Sequence, residues 1–90
     1  MIEVRRKGSN AFAVTVREGK SATEHDVTLS DADHARLAAN YTAEDCVKAA
    51  FGFLLDREAK ESILSRFDLM VIARYFPEFE RELPNYLAGC

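Results

Sequence analysis

Along residues 11–17, AFAVTVR, Phe12, Val14 and Val16 share one parity while Ala13, Thr15 and Arg17 share the other. A period of two is the mark of a strand with one buried face. Ile2, Val4 and Arg6 repeat it upstream. The Gly8-Ser9-Asn10 stretch between them reads as a three-residue hairpin loop, with Asn10 in the left-handed conformation that Asn tolerates. That loop pairs Ile2 with Val16, Val4 with Val14 and Arg6 with Phe12, so the apolar parities agree. A second turn in EGKSA leads to TEHDVTL, where His25, Val27 and Leu29 share a face and Glu24, Asp26 and Thr28 share the other. The expectation is a three-stranded antiparallel meander over residues 1–29, solvated on one side and with its first strand a free edge.

Beyond Ser30 the period changes to that of a helix. SDAD at 30–33 and TAED at 42–45 both place a hydroxyl three residues before an acid, the pattern that satisfies the free N–H groups of a first turn. Helices are predicted over about 31–39 and 43–57. On the second, Val47, Phe51 and Leu54 form the central stripe, with Ala50 and Leu55 beside it. Cys46, Ala49 and Phe53 widen it past half the circumference, so this helix must touch the sheet and another helix, or a second subunit. ESILSRF reads as a short helical turn burying Ile63, Leu64 and Phe67. Asp68 reads as the N-cap of DLMVIARYF, Pro77 stops that helix and opens PEFEREL, and Pro84 ends the last one.

The pattern predicts one α+β domain spanning residues 1–90, its meander covered on one face by four to five helices over 30–87. The expected core is Phe12, Val14, Val16, Val27, Leu29, Val47, Phe51, Leu54, Leu64, Phe67, Ile72 and Phe76. The aromatic cluster in ARYFPEFERE is ambiguous. At helical spacing Phe76 continues the row of Leu69 and Ile72, Tyr75 lies with Val71, and Phe79 pairs with Leu83. Rings spread in different directions favour core packing, with the Tyr75 hydroxyl at a polar edge. The alternative is an exposed partner site centred on Phe79, Leu83, Tyr86 and Leu87.

Composition narrows the class. At 90 residues, 48% hydrophobic and 30% charged, the chain has the composition of a folding domain with a thin stability margin. Its apolar runs fall short of a membrane span, and its N-terminus, MIEVRRKG, has no apolar signal region, so a soluble, cytoplasmic protein is expected. Two cysteines, Cys46 and Cys90, are too few for a disulfide framework and are expected as reduced thiols.

Candidate chemistry is sparse. Cys46 lies on an apolar helix flank, and neither His25 nor His34 is placed by spacing beside it, so a thiol–imidazole enzyme is not expected. Two Cys and two His scattered along the chain do not make a zinc site. The isolated glycines make neither a phosphate loop nor a dinucleotide fingerprint, so no metal, cofactor or small-molecule substrate is expected. The net charge of −3 hides a basic N-terminal patch of Arg5, Lys7, Arg17 and Lys20, which makes nucleic-acid binding the alternative function. Against it, Glu24 and Asp26 lie on the same face, Glu24 near Arg17, and no aromatic stands among the cations to stack a base. The leading expectation is a non-enzymatic protein-interaction or regulatory module, engaging a protein partner or a second copy.

Residues 51–80, FGFLLDREAKESILSRFDLMVIARYFPEFE, resemble a family of small uncharacterised bacterial proteins in which an FLLxRE helix is followed by KESIL, FDL and YFPE. The resemblance covers a third of the chain. It implies a bacterial domain and transfers no catalytic or binding residue, because that family carries no assigned activity.

Overall fold

Two hairpins built on the period-two segments open the fold, in a computed structural model that describes residues 1–89; Cys90 lies outside them. Strands β1 (Ile2–Arg6), β2 (Ala11–Glu18) and β3 (Ser21–Thr28) form an antiparallel meander. The β1–β2 register is the one the parities require, with Ile2 opposite Val16, Val4 opposite Val14 and Arg6 opposite Phe12. The loop itself differs from expectation, because Asn10 does not adopt a positive φ. The Lys7 and Gly8 amides both donate to the Ala11 carbonyl, and the Asn10 carbonyl accepts from the Leu29 amide at 2.9 Å, which widens the loop and removes the need for a left-handed residue. The second hairpin turns on Gly19 and Lys20 between the pair Glu18 and Ser21. Here Gly19 has φ 62°, matching the glycine-first two-residue turns that suit strand twist.

Helices α1 (Asp31–Ala38) and α2 (Ala43–Leu55) start at the two predicted caps. The Ser30 hydroxyl accepts from the Asp33 amide at 3.1 Å, and the Thr42 hydroxyl accepts from the Asp45 amide at 3.0 Å. Helix α2 lies between two layers, and this explains its wide apolar face. Phe51 turns toward the sheet, its ring 5.3 Å from that of His25 and 5.9 Å from that of Phe67. Phe53 turns the other way and meets Phe76, Phe79 and Tyr86 edge-on at 5.8, 5.1 and 5.8 Å.

The C-terminal third departs furthest from expectation. ESILSRF is not a helical turn. A 3-10 turn at Lys60–Ser62 is followed by a fourth strand, β4 (Arg66–Asp68), which pairs in parallel with β3, giving the sheet order β1-β2-β3-β4. Residues 66–69 alternate polar and apolar, so Phe67 faces the core side while β3 supplies the ladder. The Asp26 amide donates to the Ser65 carbonyl at 2.8 Å, and the Leu69 amide donates to the Thr28 carbonyl at 2.9 Å. As a result Leu64, expected in the core, is 49% exposed, while Leu69, Phe79 and Leu83 are fully buried. Phe67 and Phe76 are only half-buried.

Helix α3 (Val71–Tyr75) is short and stops at Phe76, ahead of Pro77. Asp68 does receive the Met70 amide, at 3.1 Å, but from within β4, and its other oxygen accepts from the Thr28 hydroxyl at 2.6 Å. Helix α4 (Phe79–Leu87) runs through Pro84 rather than ending there. Phe79, Leu83 and Leu87 lie along one face and are buried, and this packing outweighs the one donor that the proline removes.

Candidate functional site

The segment between α2 and α3 is held to the sheet from beneath. His25, buried on the inner face of β3, places Nδ1 2.7 Å from the Leu64 carbonyl oxygen and Nε2 2.8 Å from the Thr23 hydroxyl. A carbonyl only accepts, so Nδ1 carries the hydrogen. Lys60 is buried in the preceding turn, its ammonium 2.7 Å from Glu61 and 3.9 Å from Glu18 at the end of β2. That contact is the leading reason the Glu61 carboxyl titrates below its ordinary value. With its carbonyl tied inward, Leu64 projects its side chain outward.

Between this segment, the last turn of α2 and α3 lies an apolar groove with a volume of about 400 Å³. Leu54, Ile63 and Ile72 are buried beneath it, Phe67, Val71 and Phe76 line it half-buried, and Leu64 and Tyr75 stand at its rim. Tyr75 is 69% exposed, so the core packing expected for this ring does not occur. Phe76 and Phe79 do pack against Phe53. Two large side chains exposed at the rim of one groove on a 90-residue chain mark a surface that gains by being covered.

The helical partner site expected at Phe79, Leu83, Tyr86 and Leu87 is corrected by their burial. Phe79, Leu83 and Leu87 are core residues pressed on α2. Tyr86 is partly buried, its hydroxyl donating to Asp56 at 2.5 Å and its ring lying where a Cβ on Gly52 would meet it at 3.3 Å. Arg57 completes this junction. Its guanidinium sits 3.7 Å over the Phe53 ring, donates to the Phe53 carbonyl and pairs with Glu78 at 3.0 Å, closing α2 against α4.

The basic patch is a ladder of cross-strand pairs. Arg5 donates to Thr15 at 3.2 Å, and Thr15, buried beneath it, donates to Glu24. The Glu24 carboxylate lies 3.7 Å from Arg5. Arg17 is opposite Ala22 in the register and pairs instead with Glu3 at 3.4 Å, which corrects the expected Arg17–Glu24 contact. Lys7 contacts Asp26 at 2.8 Å and, through that hydrogen bond, lowers the Asp26 carboxyl below its ordinary value. Lys20 stands exposed in the second turn.

Cys46 is fully buried, and desolvation pushes its thiol up to about 11, so at neutral pH it is an unreactive thiol inside the core. Both histidines direct a ring nitrogen at a carbonyl, His25 at Leu64 and His34 at Tyr41, the latter at 2.7 Å. Among the described residues no group of three or more His, Cys, Asp or Glu is placed to hold a metal ion, and no helix is long and apolar enough to cross a membrane.

The groove is the feature that the sequence pattern missed. Its signal was the polar–apolar alternation of Arg66, Phe67, Asp68 and Leu69, which is too short to outweigh the helical reading around it. Comparison with family models, with curated proteins and with solved structures yields no match.

Proposed function

We propose that this chain is a small protein-interaction module, with no enzymatic step, that docks its partner through the groove rimmed by Leu64 and Tyr75. The observation that carries this reading is the pairing of that apolar groove with the open edge of β4. Such a junction offers both of the usual handles for a protein segment: unpaired backbone groups and pockets for apolar side chains. A regulatory role in the cytoplasm belongs to the same proposal, and the resemblance of residues 51–80 adds only that the domain is bacterial. Nucleic-acid binding by Arg5, Lys7, Arg17 and Lys20 has weaker support, since the first three cations already lie against carboxylates.

The test is site-specific photocrosslinking in the native cell. A photoreactive phenylalanine analogue at Tyr75 is expected to give discrete crosslinked protein species, while the same analogue at Lys48, on the exposed side of α2, gives none. No protein adduct at Tyr75, or the same adducts at both positions, would overturn the reading.

A further inference from the structure

The parallel ladder fixes which backbone groups of β4 remain unused. Its pairing register, together with the bonds from the Asp26 amide to Ser65 and from the Leu69 amide to Thr28, assigns the N–H and C=O of Phe67 to β3. Alternate residues of a strand send both backbone groups to the same side, so those of Arg66 and Asp68 point away from β3. Among the described residues, nothing lies beyond β4 in the sheet order. The open edge is therefore short and carries one cation and one anion, both with side chains on the outer face.

We infer that this edge pairs with β4 of a second copy of the chain, antiparallel, about a twofold axis through Phe67. The inference deepens the docking reading and rests on it. In that register Arg66 of one copy is opposite Asp68 of the other, and the symmetry repeats the pair on the far side of the axis. Each such pair exchanges both of its N–H···O bonds, and opposite charges meet on one face. Arg66 is available for this role: its side chain is 86% exposed and its nearest carboxylate, Asp26, is 3.9 Å away. On the inner face the two Phe67 rings form the close, non-hydrogen-bonded pair at the axis. The two grooves then abut, and each copy brings Leu64 and Tyr75 to the seam.

A parallel or shifted arrangement loses this complementarity, because it sets Arg66 against Arg66 or leaves one charge unmatched. The other sheet edge fits less well. Glu3 and Arg5 of β1 are engaged with Arg17 and Glu24, and the large apolar side chain exposed there is Met1, while the groove edge has both Leu64 and Tyr75. The seam is small, so the association is of the weak, concentration-dependent class.

The experiment is sedimentation equilibrium of the purified chain from about 5 to about 500 µM, combined with amide hydrogen exchange at both ends of that range. A monomer–dimer equilibrium is expected, with the Arg66 and Asp68 amides protected only at high concentration. Arg66→Glu, which sets two anions opposite each other, is expected to raise the dimer Kd at least about tenfold. Leu64→Glu should do the same without touching any ion pair, and thermal unfolding of the dilute variants checks that the monomer is intact. A chain monomeric throughout, or a dimer whose protection falls on Ile2, Val4 and Arg6, overturns the inference. Crosslinking at Tyr75 to a different protein, with the purified chain monomeric, would remove self-pairing and leave the docking reading standing.

Discussion

The Nδ1 atom of His25 lies 2.7 Å from the carbonyl oxygen of Leu64, thirty-nine residues further along the chain. This bond sets the height of the groove's rim, because it fixes the backbone from which the Leu64 side chain projects. It ties a β3 side chain to the lead-in of β4, one residue before the Ser65 carbonyl enters the ladder. His25→Phe keeps an aromatic ring against Phe51 but leaves the Leu64 carbonyl and the Thr23 hydroxyl without their partner. The expected cost is about 1–3 kcal/mol in urea unfolding. Hydrogen exchange should quicken at the Asp26 and Leu69 amides while the β1–β2 ladder is unchanged; equal acceleration everywhere would show that the bond does not anchor this segment.

Phe51 and Leu64 should respond in opposite ways to truncation. Phe51 is fully buried between His25 and Phe67, and Phe51→Ala is expected to cost about 3–5 kcal/mol, a large share of the margin of so small a domain. Leu64 is half exposed, and Leu64→Ala should fall within about 0.5 kcal/mol of the parent in dilute solution. Thermal and denaturant unfolding of the two variants measures the contrast directly.

The same contrast shows where sequence pattern carries structural information and where it stops. Residues 2–18 were legible down to register, because Val14 and Val16 can be buried only in one pairing and a one-residue slip would expose both, whereas the β2–β3 register places Glu24 opposite Thr15 and not beside Arg17. The starts of α1 and α2 were legible because Ser30 and Thr42 are local signals read within three residues. β4 was not, since a three-residue strand is selected by the free edge of β3, a partner remote in the sequence. Burial of Phe79, Leu83 and Leu87 was open for a related reason. Their spacing shows that they share a face, but not whether α2 or solvent covers it.

Acid should weaken the fold before alkali does. Hydrogen bonds from Arg6, Lys7 and Lys60 hold the carboxyls of Glu44, Asp26 and Glu61 below their ordinary values. Glu78 is lowered first by the backbone at its own position and then by Arg57. A carboxyl with a depressed folded-state value stabilises the fold above its unfolded value and loses that contribution as pH falls through the folded one. Stability measured by urea unfolding is therefore expected to decline once pH drops below about 4.5, the ordinary value for Glu. Glu44→Gln should flatten part of that decline, because Arg6 meets Glu44 through two contacts of 3.2 Å; an unchanged slope would count against the pairing.

Cys46 should be silent in the native protein. Alkylation at pH 8 is expected to leave the peptide containing Cys46 unmodified over the time in which an unfolded control reacts fully, since its thiol is both buried and pushed up to about 11. Peptide-resolved mass spectrometry separates this signal from Cys90. Rapid native labelling at Cys46 would mean that α2 opens far more often than its packing implies.

The parallel strand β4 also dictates an order of events during folding. Both hairpins close over a few residues, whereas Thr28 meets Asp68 across forty positions of chain that must first coil into α1 and α2. The entropy of closing so long a loop places β4 last, after α2 has covered the meander. While the C-terminal third is still emerging from the ribosome, β3 is the unguarded border of a three-stranded ribbon. Docking of residues 66–68 is the step that closes that border.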